Sequence, residues 1–112
     1  MPRRGEVWWA QWPACQRHPV LLLSWDAHAT WRDRVTVAEI TRTVRDLDAE
    51  VRLGPEDGMS DYCVANLDNL AALPKGTLDE RICTLSRRRM AEVELAVHHA
   101  LGIAVPCTVG AE

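Results

Sequence analysis

The chain has no phenylalanine, one tyrosine, and no apolar run longer than Val20-Leu21-Leu22-Leu23. Four consecutive apolar residues fall far short of the roughly 20 needed to cross a bilayer as a helix. The opening Met1-Pro2-Arg3-Arg4-Gly5-Glu6 is basic but has no apolar stretch after it, so no secretion signal is expected and the cytoplasm is the expected location. The four cysteines (Cys15, Cys63, Cys83 and Cys107) form no C-x-x-C pair and have no histidine at ligand spacing. They read as reduced, mostly buried thiols, and no metal site is expected. No Gly-rich phosphate loop, nucleophile elbow or zinc motif is present, and no pair of acids has a telling spacing. Repeats, low-complexity tracts and linkers are also missing, which predicts one domain over residues 1–112.

What the chain does have is unevenly distributed. Its net charge of −3 argues against a simple nucleic-acid coat protein. Residues 1–45 carry seven arginines against four acids, and residues 46–112 carry six basic residues against twelve acids. Such a split permits a basic groove on an acidic body.

The first two-thirds reads as strands and turns. Residues 6–12 are rich in β-favouring residues and stop at Pro13. The run 20–23 suits a short strand buried on both faces. In a third strand over 34–41, Val35, Val37, Glu39 and Thr41 share one side, with Thr36, Ala38 and Ile40 on the other. Residues 49–53 alternate cleanly up to the turn signal Gly54-Pro55-Glu56-Asp57-Gly58. Two more strands are expected, over 62–73 and around 81–85.

A helix closes the pattern. Ser86 is its expected N-cap and Gly102 its stop, with an apolar stripe of Met90, Val93, Val97, Ala100 and Leu101. Arg87-Arg88-Arg89 opposes the helix dipole, and pairing with Glu92 and Glu94 on a solvated face is the plainest account of it. His98-His99 suits the dipole at the other end. Many short strands followed by one helix define a mainly β fold, a small curled sheet or partly open barrel with a helix packed on it.

The chemistry-bearing candidates are polar residues set within this pattern: Arg17 and His18 before the apolar run, Thr41 and Arg42 at the end of the third strand, and Asn66 and Asp68 two apart on a later one. RNA carries its own nucleophile, the 2′-hydroxyl. Cutting it needs proton transfer, for which histidine near pKa ~6.5 suits, and a cation for the charged phosphate, for which arginine's fork suits. A threonine hydroxyl can hydrogen-bond a reacting oxygen. Each residue also has an ordinary reading: a structural histidine, a threonine at a strand end, or an Asn and Asp that bond neighbouring backbone.

The order of short motifs adds to this. Arg4-Gly5-Glu6-Val7-Trp8 resembles the R-G-[ED]-[VI]-W opening of MazF/PemK toxins, and His18-Pro19-Val20-Leu21-Leu22-Leu23-Ser24 resembles their R-P-V-L-V-L-S. Thr36-Val37-Ala38-Glu39-Ile40-Thr41 is similar to T-V-x-x-I-T. Glu50-Val51 with Leu53-Gly54-Pro55 and Val64-Ala65-Asn66-Leu67-Asp68-Asn69-Leu70 are similar to E-V-x-L-G-P and V-x-N-L-D-Q-L. Residues 78–86 followed by Met90-Ala91-Glu92-Val93 complete the series, so the resemblance covers about residues 3–103.

The resemblance implies an SH3-like, partly open barrel of the MazF/Kid/CcdB type. It implies a homodimer that cuts single-stranded RNA without a metal or other cofactor, leaving a 2′,3′-cyclic phosphate and a 5′-hydroxyl. It further implies a cognate antitoxin whose disordered acidic tail blocks the RNA groove. The family's catalytic Thr maps onto Thr41. Its catalytic Arg does not map directly, because His18 precedes Pro19 and Arg17 stands one place earlier. Either His18 has taken over proton transfer, Arg17 reaches the phosphate, or catalysis is impaired, and the first two are favoured.

Asn66 and Asp68 match RNA-binding positions of some relatives, with Trp25 and Arg42 as further RNA-contact candidates. Trp31 is another, and core packing is the plainer reading of both tryptophans. The loop over residues 13–16 is shorter than the family's, and Ala29 stands where many relatives carry Asn. The alternatives to a nuclease are a gyrase poison of the same fold and an RNA- or antitoxin-binding module without activity.

Overall fold

The computed structural model describes residues 2–12 and 16–104, apart from the His28 side chain. Cys15, Cys107 and most of the short loop after Trp12 therefore lie outside the described residues. Six strands run β1 (Glu6–Gln11), β2 (Arg17–Leu22), β3 (Arg34–Thr41), β4 (Glu50–Leu53), β5 (Cys63–Pro74) and β6 (Leu78–Thr84). A one-turn helix α1 (Asp26–Ala29) interrupts the connection from β2 to β3, and α2 (Arg87–Leu101) follows β6. The sheet is antiparallel throughout, in the order β4-β5-β3-β2-β1-β6. This is the expected curled, mainly β architecture with one closing helix.

Alternation along the strands builds a core on each face of the sheet. One contains Val7, Leu21, Ala38, Ile40, Val51, Leu53, Ala65 and Leu67, and α2 covers it with Val93 and Ala96. The other contains Ala10, Val20, Leu22, Val35, Val37 and Leu73, with Ala29 of α1 and the partly buried Trp8 and Trp12 packed in. Val20 and Leu21 serve opposite cores, which explains why the run 20–23 is apolar without a break. Met90, Val97 and Ala100 of the expected helical stripe pack on the first core. Leu101 does not: it is more than half exposed, because the helix turns it away in its last residue, and the buried Ala96 takes its place.

The ends of α2 match their sequence signals. Ser86 Oγ accepts from Arg89 N–H at 3.1 Å, and Gly102 closes the helix at φ +69°. Arg89 lies along the protein surface, mostly covered. Its guanidinium donates to Asp57 (2.9 Å), Glu56 (3.4 Å) and Glu92 (3.1 Å), tying the helix start to the turn after β4. Burial alone would push the Asp57 carboxyl up. The bonds from Arg89 and from Gly54 N–H outweigh it and hold the group below the usual carboxylate range.

The opening motif has a structural cause as well. Gly5 sits at φ +91°, donates to Leu22 O and accepts from Leu85 N–H, which locks the first strand between β2 and the start of α2. Glu6, only 6% exposed, accepts from Arg3 N–H (2.8 Å), Trp8 Nε1 (3.0 Å) and Arg81 (3.3 Å). Burial would raise its pKa, and those donors lower it further than burial raises it.

Two irregularities shape the sheet around the candidate site. Pairing of β3 with β5 runs Ala38↔Leu70 and then Glu39↔Asn66, so residues 67–69 bulge out of the ladder. Within this bulge Leu67 turns into the core and donates to Ala49 O at 2.8 Å. The 3-10 turn Pro55–Asp57 ends at Gly58, whose φ of +99° and position against Cys83 leave no room for a side chain.

Candidate active site

His18 opens β2 and Thr41 ends β3. These strands pair Leu22↔Val37, Leu21↔Ala38 and Val20↔Glu39, and the same register continued outward sets His18 opposite Thr41. Glu39 and Thr41 share a face by alternation, as the sequence pattern implies. Glu39 also lies opposite Asn66 of β5, which lies opposite Glu50 of β4. One face therefore carries a polar row, Glu50, Asn66 and Glu39, with His18 and Thr41 beside it.

The contacts bind this row together. Glu39 Oε2 lies 3.4 Å from His18 Nε2, and Glu39 Oε1 accepts from Asn69 Nδ2 at 3.0 Å. His18 Nε2 is buried and makes no well-aligned hydrogen bond, so Glu39 is its electrostatic neighbour and not yet a hydrogen-bond partner. The imidazole meets Trp12 edge-on, with ring centroids 6.1 Å apart. Thr41 Oγ1 accepts from Thr43 N–H at 3.1 Å, which fixes the hydroxyl's orientation at the strand end. Asn66 is buried and its Oδ1 accepts from Asp68 N–H at 3.0 Å, the local backbone bond that Asn favours.

The remaining candidates are placed elsewhere. Arg17 neighbours His18 in sequence and so points to the opposite face. There its guanidinium stacks 4.6 Å above the Trp9 ring and pairs with Asp79 (3.0 Å) and Glu80 (3.2 Å). Arg42 pairs with Asp61 at 2.7 Å and lines a cleft on that face together with Trp9, Pro19, Ile40, Met59 and Cys63. Asp68 falls in the β5 bulge, so the ladder does not hold it beside Asn66 as simple alternation predicts. Trp25 and Trp31 lie in the connection between β2 and β3, at the far end of those strands from His18 and Thr41. They are 63% and 74% exposed, which overturns core packing for both: α1 supplies Ala29 to the core instead.

Sequence reasoning passed over Glu39, Asn69 and Glu50. Glu39 had a readable signal, since it interrupts an otherwise apolar strand side with a charge. Asn69 had none, because only the bulge returns it to Glu39.

The charge split resolves into cross-chain pairing. Arg4 pairs with Glu94, Arg17 with Asp79 and Glu80, and Arg42 with Asp61. The arginine excess of the first part is thus answered in good measure by acids of the second. Arg89 of the helix triplet makes the expected pair with Glu92, but Glu94 is taken by Arg4. Among the described residues, no three His, Cys, Asp or Glu side chains converge where they could hold a metal ion. Cys63 is buried and free, and Cys83 is half-buried and free. No helix among the described residues is long and apolar enough to cross a membrane.

An antiparallel sheet of this order, closed by one helix, is the fold of solved toxins of one known class. Residues 3–101 match the family described as PemK-like, MazF-like toxin of type II toxin-antitoxin systems. The chain is 37% identical over 109 residues to "Probable endoribonuclease MazF5" of Mycobacterium tuberculosis, covering 96% of each chain. It is 41% identical over 91 residues to "Probable endoribonuclease MazF2" of the same organism, covering 80% of this chain and 88% of the relative. Its fold superposes on a mycobacterial endoribonuclease in complex with its cognate antitoxin with a TM-score of 0.84 at 27% identity, covering 95% of this chain and all of that one. The M. tuberculosis toxin MazF-mt6 superposes with a TM-score of 0.82 at 28% identity, covering 89% and 99%. The chain belongs to the PemK-like, MazF-like toxin family.

Proposed function

We propose that this protein is an endoribonuclease, the toxin of a type II toxin–antitoxin pair. It cuts single-stranded RNA at a short sequence by attack of the 2′-hydroxyl on the neighbouring phosphate, leaving a 2′,3′-cyclic phosphate and a 5′-hydroxyl. The observation that carries this reading is family membership across residues 3–101, joined to a histidine and a threonine that alternation puts on one sheet face. The relatives' names, both probable endoribonucleases, support it. In this reading the protein works in the cytoplasm as a homodimer with RNA lying across the interface. A cognate antitoxin, of the kind seen with the mycobacterial endoribonuclease, blocks that groove with an acidic segment.

The chemistry divides among few groups. His18 moves the proton, Thr41 orients the reacting oxygen through its hydroxyl, Asn66 and Asp68 contact the flanking nucleotides, and Arg42 and Trp25 meet more distant parts of the RNA. Arg17, on the opposite face over Trp9, binds a backbone phosphate away from the cut after leaving Asp79 and Glu80. Those carboxylates are half or more exposed. Exposed ion pairs are worth only about 0–1 kcal/mol, so the release costs little. The nucleophile belongs to the RNA, so the reaction runs in EDTA.

The test incubates purified protein with a long single-stranded RNA in EDTA and maps the breaks and their end groups. Discrete cuts with cyclic-phosphate ends are expected. His18→Ala should lose about 10²–10⁴-fold in rate, the usual worth of a positioned acid or base. Arg17→Ala should raise KM for RNA with kcat little changed, as expected for a phosphate contact away from the cut. Intact RNA with folded wild-type protein would overturn the reading in favour of a binding-only module.

A further inference from the structure

We infer that Glu39 is a positioning residue for His18, the two forming a dyad that replaces the arginine of the family motif; this rests on the ribonuclease reading above. A histidine that has taken an arginine's place must be held in one tautomer to work as a base. Here the ring has one nitrogen, Nε2, buried and facing a carboxylate oxygen at 3.4 Å. A proton on Nε2 shared with Glu39 leaves Nδ1 unprotonated for the substrate. The carboxylate is itself held: Asn69 donates to its other oxygen at 3.0 Å. That contact exists because β5 bulges over residues 67–69 at the position where β3 places Glu39. Bulges re-aim side chains in this way. Asn69 thus holds Glu39 in place, and a small turn of the imidazole toward Glu39 Oε2 completes a chain from Asn69 to His18.

In the reaction, Nδ1 takes the proton of the 2′-hydroxyl as O2′ forms its bond to phosphorus. The P–O5′ bond breaks, and O5′ departs with the bonding pair and takes a proton from water. The imidazolium that results keeps its Nε2 proton on Glu39, whose negative charge stabilises it without accepting that proton. The other charged groups on this face include Glu50, across Asn66, Arg52, across Val64 and held by Asp46, and the Glu6–Arg81 pair beside Trp8. Arg17 lies on the opposite face.

Two measurements test the dyad on the folded protein. The ¹⁵N shifts of the His18 ring in wild type should report the Nε2–H tautomer, and Glu39→Leu should shift the ring to a mixture. Glu39→Leu and Glu39→Gln should each lower kcat about 10²-fold or more with KM for RNA changed less than about threefold, the split expected when only the transition state is affected. Unchanged ring shifts in Glu39→Leu, or kcat within about threefold of wild type, would overturn the inference, with circular dichroism confirming the fold. A wild type inert toward RNA overturns the functional reading, and Glu39's part in that reaction with it. A wild type that cuts while the Glu39 variants match it overturns the dyad alone.

Discussion

Arg89 is held outside the two cores by a buried ion pair whose loss should be costly. Its side chain is 15% exposed, and its principal partner Asp57 only 7%. Arg89→Ala leaves the Asp57 carboxylate buried with only Gly54 N–H to satisfy it. Breaking a buried pair by removing one partner costs roughly 3–5 kcal/mol. Asp57 keeps a backbone donor, so the low end, about 3 kcal/mol, is expected. The contacts to Glu56 and Glu92, 57% and 44% exposed, add little. Arg89→Lys keeps the charge but not the fork, so it should recover part of the loss.

The pH dependence of this loss has a definite sign. In the wild type, Asp57 titrates below its unfolded value, so its stabilisation is present above the usual carboxylate range and lost as pH falls through the folded pKa. Without Arg89 the burial contribution gains relative weight, and protonating Asp57 relieves the variant. The deficit of Arg89→Ala should therefore be largest at pH 7 and shrink toward pH 3. Urea unfolding at both pH values measures it. A deficit under about 1 kcal/mol at pH 7, or one that grows in acid, would refute the reasoning.

Two further outcomes follow from the turn after β4 and the start of β5. Gly58→Ala places a Cβ 2.6 Å from Cys83 Cβ at a φ of +99°, so both strain and clash act; a loss of about 3 kcal/mol or more is expected in the same unfolding assay. Cys63 has its thiol pushed up to about 11 by burial, with Cys83 and Asp57 nearby adding to the effect. Site-mapped alkylation at pH 8 should label Cys63 far more slowly in native protein than in urea, because the thiolate is the reactive form. Equal rates would show that the pocket around it opens readily.

Much of this architecture could be read before the structure. Alternation in β3 put Glu39 and Thr41 on one side, and the unbroken apolar run in β2 announced a strand with a core on each face. The helix declared both ends through Ser86 and Gly102. What stayed hidden depends on departures from regular periods. The β5 bulge separates Asn66 from Asp68 and returns Asn69 to Glu39, and no residue in 67–69 carries a bulge signature such as glycine. Alternation also sends Arg17 away from His18, a cost that motif matching alone does not register. The exposure of Trp25 and Trp31 was not legible because α1, a single turn, is too short to leave a periodic trace.

The order of strands in the sheet also governs when this toxin becomes dangerous to the cell that makes it. β1 is flanked by β2 and by β6, whose Thr84 pairs with Glu6. The first strand to leave the ribosome therefore waits for the last before its second ladder can form, and such distant pairing is slow. At about 5–20 residues per second, some seventy more residues must be synthesised in the meantime. The sheet is complete only once β6 has emerged, and the interval gives any inhibitor already present a head start.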